Sequence, residues 1–320
     1  MANATVIYAC TRQGLAIINR PGTLPRWLPP RMVLGGRAIA SVWAKPGLPV
    51  SVLAVSGGEL LASRDGGRTW QPVPVEAPAT AIWQTGDPPR LYVSMEGGRL
   101  TVSEDHGESW TDLPPVGRTG KARALMADPN RPGWVYALWE QSPAPNTGDG
   151  GDGGLETLVL RGSPERGEWH PVLAGLVRAI ACDASTGFVY AATGVGVQVS
   201  ADAGVSWLVL PGSPVNGLCM VVTPGPANKP PALLVGSPEG LHISYDGGES
   251  WLSYDLRSQL GLGLQSPAIV ALTRDPQRRD RLYAATDESY LFESGNRGRE
   301  WQQINAEPLP TVSCLYVIRF

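Results

Sequence analysis

The chain has 320 residues with 39 Gly and 30 Pro, and its net charge is only −3. Near-balanced charge argues against a nucleic-acid-binding or membrane-surface protein, and no apolar stretch approaches the roughly 20 residues of a membrane span. Turn-forming residues at this density point to short strands joined by tight turns.

The N-terminus, Met1–Cys10, lacks a basic region and a cleavage site and already reads as a strand, Thr5–Cys10. The expected location is cytoplasmic, with an exported mature form left open. Further on, strand-length runs recur in pairs: Arg37–Ala44 with Val50–Val55, Thr80–Gln84 with Arg90–Met95, Arg123–Ala127 with Trp134–Trp139, Arg178–Cys182 with Phe188–Thr193, Asn216–Val222 with Ala232–Gly236, and Ala268–Thr273 with Arg281–Thr286. A third run follows most pairs and ends at a Ser, as at Leu60–Ala62, Leu100–Val102, Val197–Val199 and Leu241–Ile243.

Each of those Ser residues opens the same pattern, Ser-x-Asp-x-Gly-x-Ser/Thr-Trp, at Ser63–Trp70, Ser103–Trp110, Ser200–Trp207 and Ser244–Trp251. A fifth copy, Ser294–Trp301, has Asn296 for the Asp and Glu300 for the Ser/Thr. A sixth, Ser163–Trp169, is one residue short and has Glu165 for the Asp; before them all, a decayed turn ends at Arg26-Trp27. The pattern reads as a hairpin turn. Asp65, Asp105, Asp202 and Asp246, with Asn296, bond backbone amides two or more residues on. The Gly supplies a positive φ. Trp70, Trp110, Trp207, Trp251 and Trp301 start the next strand and pack on a neighbouring sheet. Nothing in this chemistry needs a ligand.

The box resembles the Asp-box, or BNR repeat, of sialidases, xyloglucanases, sortilin-type receptors and photosystem II assembly propellers. The resemblance covers nearly the whole chain at the level of repeats, and it speaks to fold far more than to function. It implies a propeller with the box between the third and fourth strands of each blade. It also implies ligands over the central channel, against loops that enter inner strands or join second to third strands.

Counting the blades uses the Trp series 27, 70, 110, 169, 207, 251 and 301, whose steps of 43, 40, 59, 38, 44 and 50 residues match the roughly 40–50 residues of a four-stranded blade. The first repeat begins at its second strand, and Thr311–Ile318 supplies its missing inner strand. Such a closure removes open sheet edges. The expectation is an all-β, single seven-bladed β-propeller of four-stranded antiparallel blades. One domain spans 1–320, with blade 1 shared between 3–34 and 310–318.

Three features stand out as candidate sites. Aligning the inner strands puts Arg37, Arg123 and Arg178 at one position, each before Ala and then Ile or Leu. Guanidinium groups there would bind a carboxylate or phosphate bidentately, or else serve as solvated or inter-blade structural residues. Sialidases also hold a carboxylate with three Arg, but this chain has no Arg-Ile-Pro segment near its start and no evident Tyr/Glu nucleophile pair. Leu256–Ser266 enters blade 7; its Leu256, Leu260, Leu262 and Leu264 read as a segment folded over the channel mouth or as a partner-docking patch. Gln141–Gly154 joins the second and third strands of blade 4 and has the composition of a flexible loop or mobile flap; its Asp149 and Asp152 could ligate calcium, but two carboxylates are few for such a site.

No metal or cofactor is expected. Cys10, Cys182, Cys219 and Cys314 have no metal-ligand spacing and read as buried free thiols. The three His residues are scattered, and no phosphate-cradling or nucleophile-elbow motif occurs. Two functions follow from different classes. The first is a non-catalytic binding or assembly scaffold, expected to be monomeric, that presents loops to a protein partner or an anionic ligand. In size the chain resembles the photosystem II assembly propellers. The alternative is a glycoside hydrolase acting on carbohydrate, which needs two carboxylates flanking a cleft. Asp128, Asp183, Asp275 and Asp87 sit in turns that look structural. Trp43, Trp83 and Trp139 read equally as sugar platforms or as core.

Overall fold

The computed structural model describes residues 4–24, 26–47, 50–86, 88–142, 156–225, 229–254, 256 and 267–320. Among them lie seven four-stranded antiparallel sheets. The seven inner strands, in blade order, are Val312–Arg319, Ile39–Lys45, Ala79–Thr85, Gly120–Ala127, Val177–Cys182, Cys219–Thr223 and Ile269–Arg274. Each inner strand touches the next, and the seventh touches the first, so the sheets form a closed ring around a channel.

The closure is the expected one. Val312–Arg319 lies antiparallel to Thr5–Thr11, with Val6 opposite Ile318 and Cys10 opposite Cys314. The free-thiol expectation is corrected here, because Cys10 and Cys314 form a disulfide across that pair of strands. Facing positions in neighbouring antiparallel strands bring two Cβ atoms within bonding reach. Cys182 and Cys219 are free, and burial pushes each thiol up to about 12.

Seven apolar clusters fill the seven seams between blades, and the box Trp explains why. Trp70 of blade 2 packs on Tyr8 and Ile17 of blade 1. Trp110 joins Leu53 of blade 2, and Trp169 joins Tyr92 and Val102 of blade 3. Trp207, Trp251 and Trp301 repeat the arrangement on blades 4, 5 and 6. Trp27, at the end of the decayed turn, does the same for blade 1: it sits in the cluster of Tyr283, Ala285 and Leu291 from blade 7, edge-on to the Tyr283 ring. A large aromatic placed at the start of each outer strand thus becomes the wedge between adjacent sheets.

The complete boxes share one hydrogen-bond pattern. Ser63 Oγ donates to Asp65 Oδ1 at 2.8 Å and accepts the Gly67 N–H at 2.8 Å, while Asp65 accepts from the Arg68 and Thr69 N–H groups and the Thr69 hydroxyl. The boxes at Ser103, Ser200 and Ser244 are built alike. The Ser206 hydroxyl and N–H, then Ser200, hold the Asp202 carboxyl down at about 2. The Gly carries a positive φ as expected, +81° at Gly67 and +90° at Gly204. The residue before it is also left-handed, even where it is His106, Ala203 or Arg297.

The variant copies differ for chemical reasons. In the fifth, Asn296 Nδ2 donates to Glu300 Oε2 at 3.0 Å, reversing the polarity of the usual Ser-to-Asp bond across the turn. The shortened sixth copy is not a box of this kind. Pro164–Arg166 forms a 3-10 turn without a side-chain cap, and Glu165 instead reaches blade 3, where it accepts from Arg90 at 2.8 Å and from the Tyr92 hydroxyl at 3.1 Å.

Candidate functional site

The two ends of the ring are built differently. Box turns lie at the end where the second strands begin. The opposite end carries the entries to the inner strands and the turns from second to third strands, so the two insertions attach there. Six inner strands have a one-residue β-bulge at that entry, and the extra residues are Ser313, Ala40, Thr80, Arg123, Arg178 and Val270. The residue before each bulge is buried in a seam: Val312, Ile39, Ala79, Ala122, Val177 and Ile269. The bulge re-aims the next side chain out of that seam, and Arg123 and Arg178 are exposed there.

The expected equivalence of three arginines is therefore corrected. Arg123 and Arg178 do share a position. Arg37 lies three residues before its blade's bulge residue, Ala40, outside the strand. Its match to the other two, Arg-Ala followed by Ile or Leu, is a coincidence of composition, because Ile39 occupies the buried place held by Ala122 and Val177. Their electrostatics differ as well. Arg37 pairs with Glu59 at 2.7 Å on the surface, and Arg123 pairs with Glu140 at 2.7 Å. Lys121 bridges Glu140 and Glu96 at 3.8 and 3.6 Å, so cations and acids alternate above blades 3 and 4. Arg178 has no hydrogen bond or ion pair among the described residues and is the one unneutralised member of the three.

Beside Arg178 lies a feature that sequence reading missed. Leu176, Val195 and Val215 are exposed, Val195 to 66%. Their three loops are tied together: the Gly194 N–H donates to Leu176 O at 3.0 Å, and the Asn216 N–H donates to Thr193 O at 3.2 Å. The result is an apolar ledge over blade 5 with a free guanidinium at its edge. The available signal was Val195, an apolar residue between two glycines at a turn tip that water would ordinarily face.

Leu260, Leu262 and Leu264 lie outside the described residues, as do Asp87, Asp149 and Asp152. Leu256 is buried between blades 6 and 7 with Ile269 and Phe292. Trp43 and Trp139 are enclosed core residues, while Trp83 is half-buried against the seam of blades 3 and 4. The acids at inner-strand ends are engaged. Asp128 receives Arg161, Asp183 receives Ser185 and Thr186, and Asp275 receives Arg319 and two backbone N–H groups. Among the described residues there is no cluster of three or more His, Cys, Asp or Glu able to hold a metal, and no helix long and apolar enough to cross a membrane.

No protein-family model and no curated protein matches the chain. Solved structures do. YCF48 from Cyanidioschyzon merolae is 14% identical, with 83% of this chain and 84% of that one covered at a TM-score of 0.55. YCF48 bound to D1 peptide is 16% identical, with coverage of 85% and 83% and a TM-score of 0.54. The computationally designed Ika8 protein is 12% identical, with coverage of 97% and 86% and a TM-score of 0.58. At these identities the likeness concerns the fold, a seven-bladed β-propeller of four-stranded blades.

Proposed function

We propose that this chain is a non-catalytic binding scaffold of the Asp-box type, and that it docks a protein partner on the face opposite its box turns. One observation carries the reading: the exposed ledge of Leu176, Val195 and Val215 beside the unpaired Arg178. Apolar area next to a free guanidinium is the composition of interface centres. The engagement of Asp128, Asp183 and Asp275 in structural bonds supports binding over hydrolysis. The solved neighbour that holds a D1 peptide supports a peptide-like partner. The ring's lack of a long open edge supports a monomer.

The test is affinity purification from the native source, followed by calorimetry of the purified pair against wild type, Arg178→Glu and Val195→Asp. Either variant is expected to weaken binding by about tenfold or more, with the thermal midpoint unchanged. Full affinity in both variants, or turnover of a glycoside by the wild-type protein, would overturn the reading.

A further inference from the structure

The seam where blades 1 and 2 meet opens, at the box-turn end, into a cavity of about 870 Å³. It lies on the face opposite Arg178. Its apolar wall is Val6, Tyr8, Ile17, Val50 and Phe320. Arg20, Arg31 and Arg68 line it as well, against one side-chain carboxylate, that of Asp65, with the terminal residue Phe320 at the same wall.

These charges are not equally available. Arg20 is held by Glu293 at 2.6 Å. Asp65 is enclosed by donors from its own turn; the Thr69 N–H and hydroxyl and Ser63 hold its carboxyl well below the usual range. Arg31 donates to the Gly66 and Gly67 carbonyls at 2.7 and 3.1 Å, neutral acceptors that leave its charge uncompensated. The Arg68 guanidinium has no partner among the described residues.

We propose that this cavity binds an amphipathic anion, an apolar or aromatic body bearing one acidic group, with the body against Val50 and Phe320 at the mouth of the seam and the acid toward Arg68 and Arg31. The site is separate from the docking ledge, and either proposal stands if the other fails.

The test is a fluorescence titration of the full chain with 8-anilinonaphthalene-1-sulfonate, competed with decanoate and, as a neutral control, 1-decanol. One saturable site is expected, displaced by decanoate at concentrations about tenfold lower than decanol requires. Arg68→Ala is expected to weaken binding of the probe by about tenfold without moving the thermal midpoint. Val50→Trp, which fills the cavity, is expected to abolish it. Absence of a saturable site, equal competition by decanol, or binding unchanged by Arg68→Ala would each overturn the proposal, whether or not Val50→Trp folds.

Discussion

Ring closure rests on a buried ion pair that can be broken selectively. Arg319, near the end of the closing strand, places Nη1 3.0 Å from Asp275 Oδ2, and the two side chains are 8% and 0% exposed. Asp275 follows the inner strand of blade 7, so the pair fastens the first blade to the last. Asp275 Oδ1 separately accepts the Gln277 and Arg278 N–H groups at 2.9 and 3.1 Å. Arg319→Leu leaves a buried carboxylate without its counter-charge, a change that costs about 3–5 kcal/mol. With an unfolding entropy of roughly 0.7 kcal/mol/K for a chain of this length, the expected fall in thermal midpoint is about 4–7 °C. Adding Asp275→Asn should recover a substantial part, because the amide oxygen still accepts both N–H groups and no buried charge remains. Calorimetry of the two single variants and the double variant, with hydrogen exchange over Val312–Arg319, checks this. A loss below about 1 kcal/mol for Arg319→Leu, or no recovery in the double variant, would refute the account of closure.

Reduction of Cys10–Cys314, which spans 304 residues, is expected to cost about 5 kcal/mol, the upper end of the range for disulfides, in urea unfolding with and without reductant. Ser244→Ala removes the acceptor of the buried Gly248 N–H at 2.7 Å and is expected to cost about 1–3 kcal/mol by the same measurement. Asn296→Asp sets a carboxylate against Glu300 and is expected to cost about 0.5 kcal/mol, relieved by Glu300→Ser in a double-mutant cycle. The carboxyls of Asp202 and Asp246 are lowered from an ordinary 3.8 to about 2, so the stability they contribute is complete above the unfolded value and lost as pH falls through the folded one. The thermal midpoint should therefore be flat from neutrality to about pH 5 and drop between about pH 4 and 2, less steeply in Asp202→Asn/Asp246→Asn.

The ring was legible because its determinants recur with the repeat. Each Trp marks one seam, and even Trp27, without a box, keeps the wedge position against Tyr283. The closing strand was legible because a blade without an inner strand must find one. What stayed hidden depends on register or on distant pairing. The bulge at Ala40 displaces Arg37 from the place that local composition suggests. The disulfide depends on which residue of Thr5–Thr11 faces Cys314, and a slip of one residue would separate the thiols. Glu165 copies the place of an Asp, but its longer side chain and the missing residue leave the turn uncapped, and the carboxylate finds Arg90 instead.

The two ends of the ring show why structure and function differ in legibility. At the box end, five of the seven seams receive their Trp from the same turn, which makes the pattern readable, while Trp27 and Trp169 reach their seams without it. At the other end the bulges repeat, but the residues they present do not: Ser313, Ala40, Thr80, Arg123, Arg178 and Val270 range from small and polar to cationic to apolar. In six blades the bulge turns one residue out of the seam its predecessor fills without dictating its chemistry, so that Val270 packs in the next seam while Arg123 and Arg178 face solvent. A ring built this way can change its partner by substitutions that leave every seam intact. The residues that do not repeat are therefore where the blades differ from one another, and the exposed Leu176, Val195 and Val215 beside Arg178 are one such place.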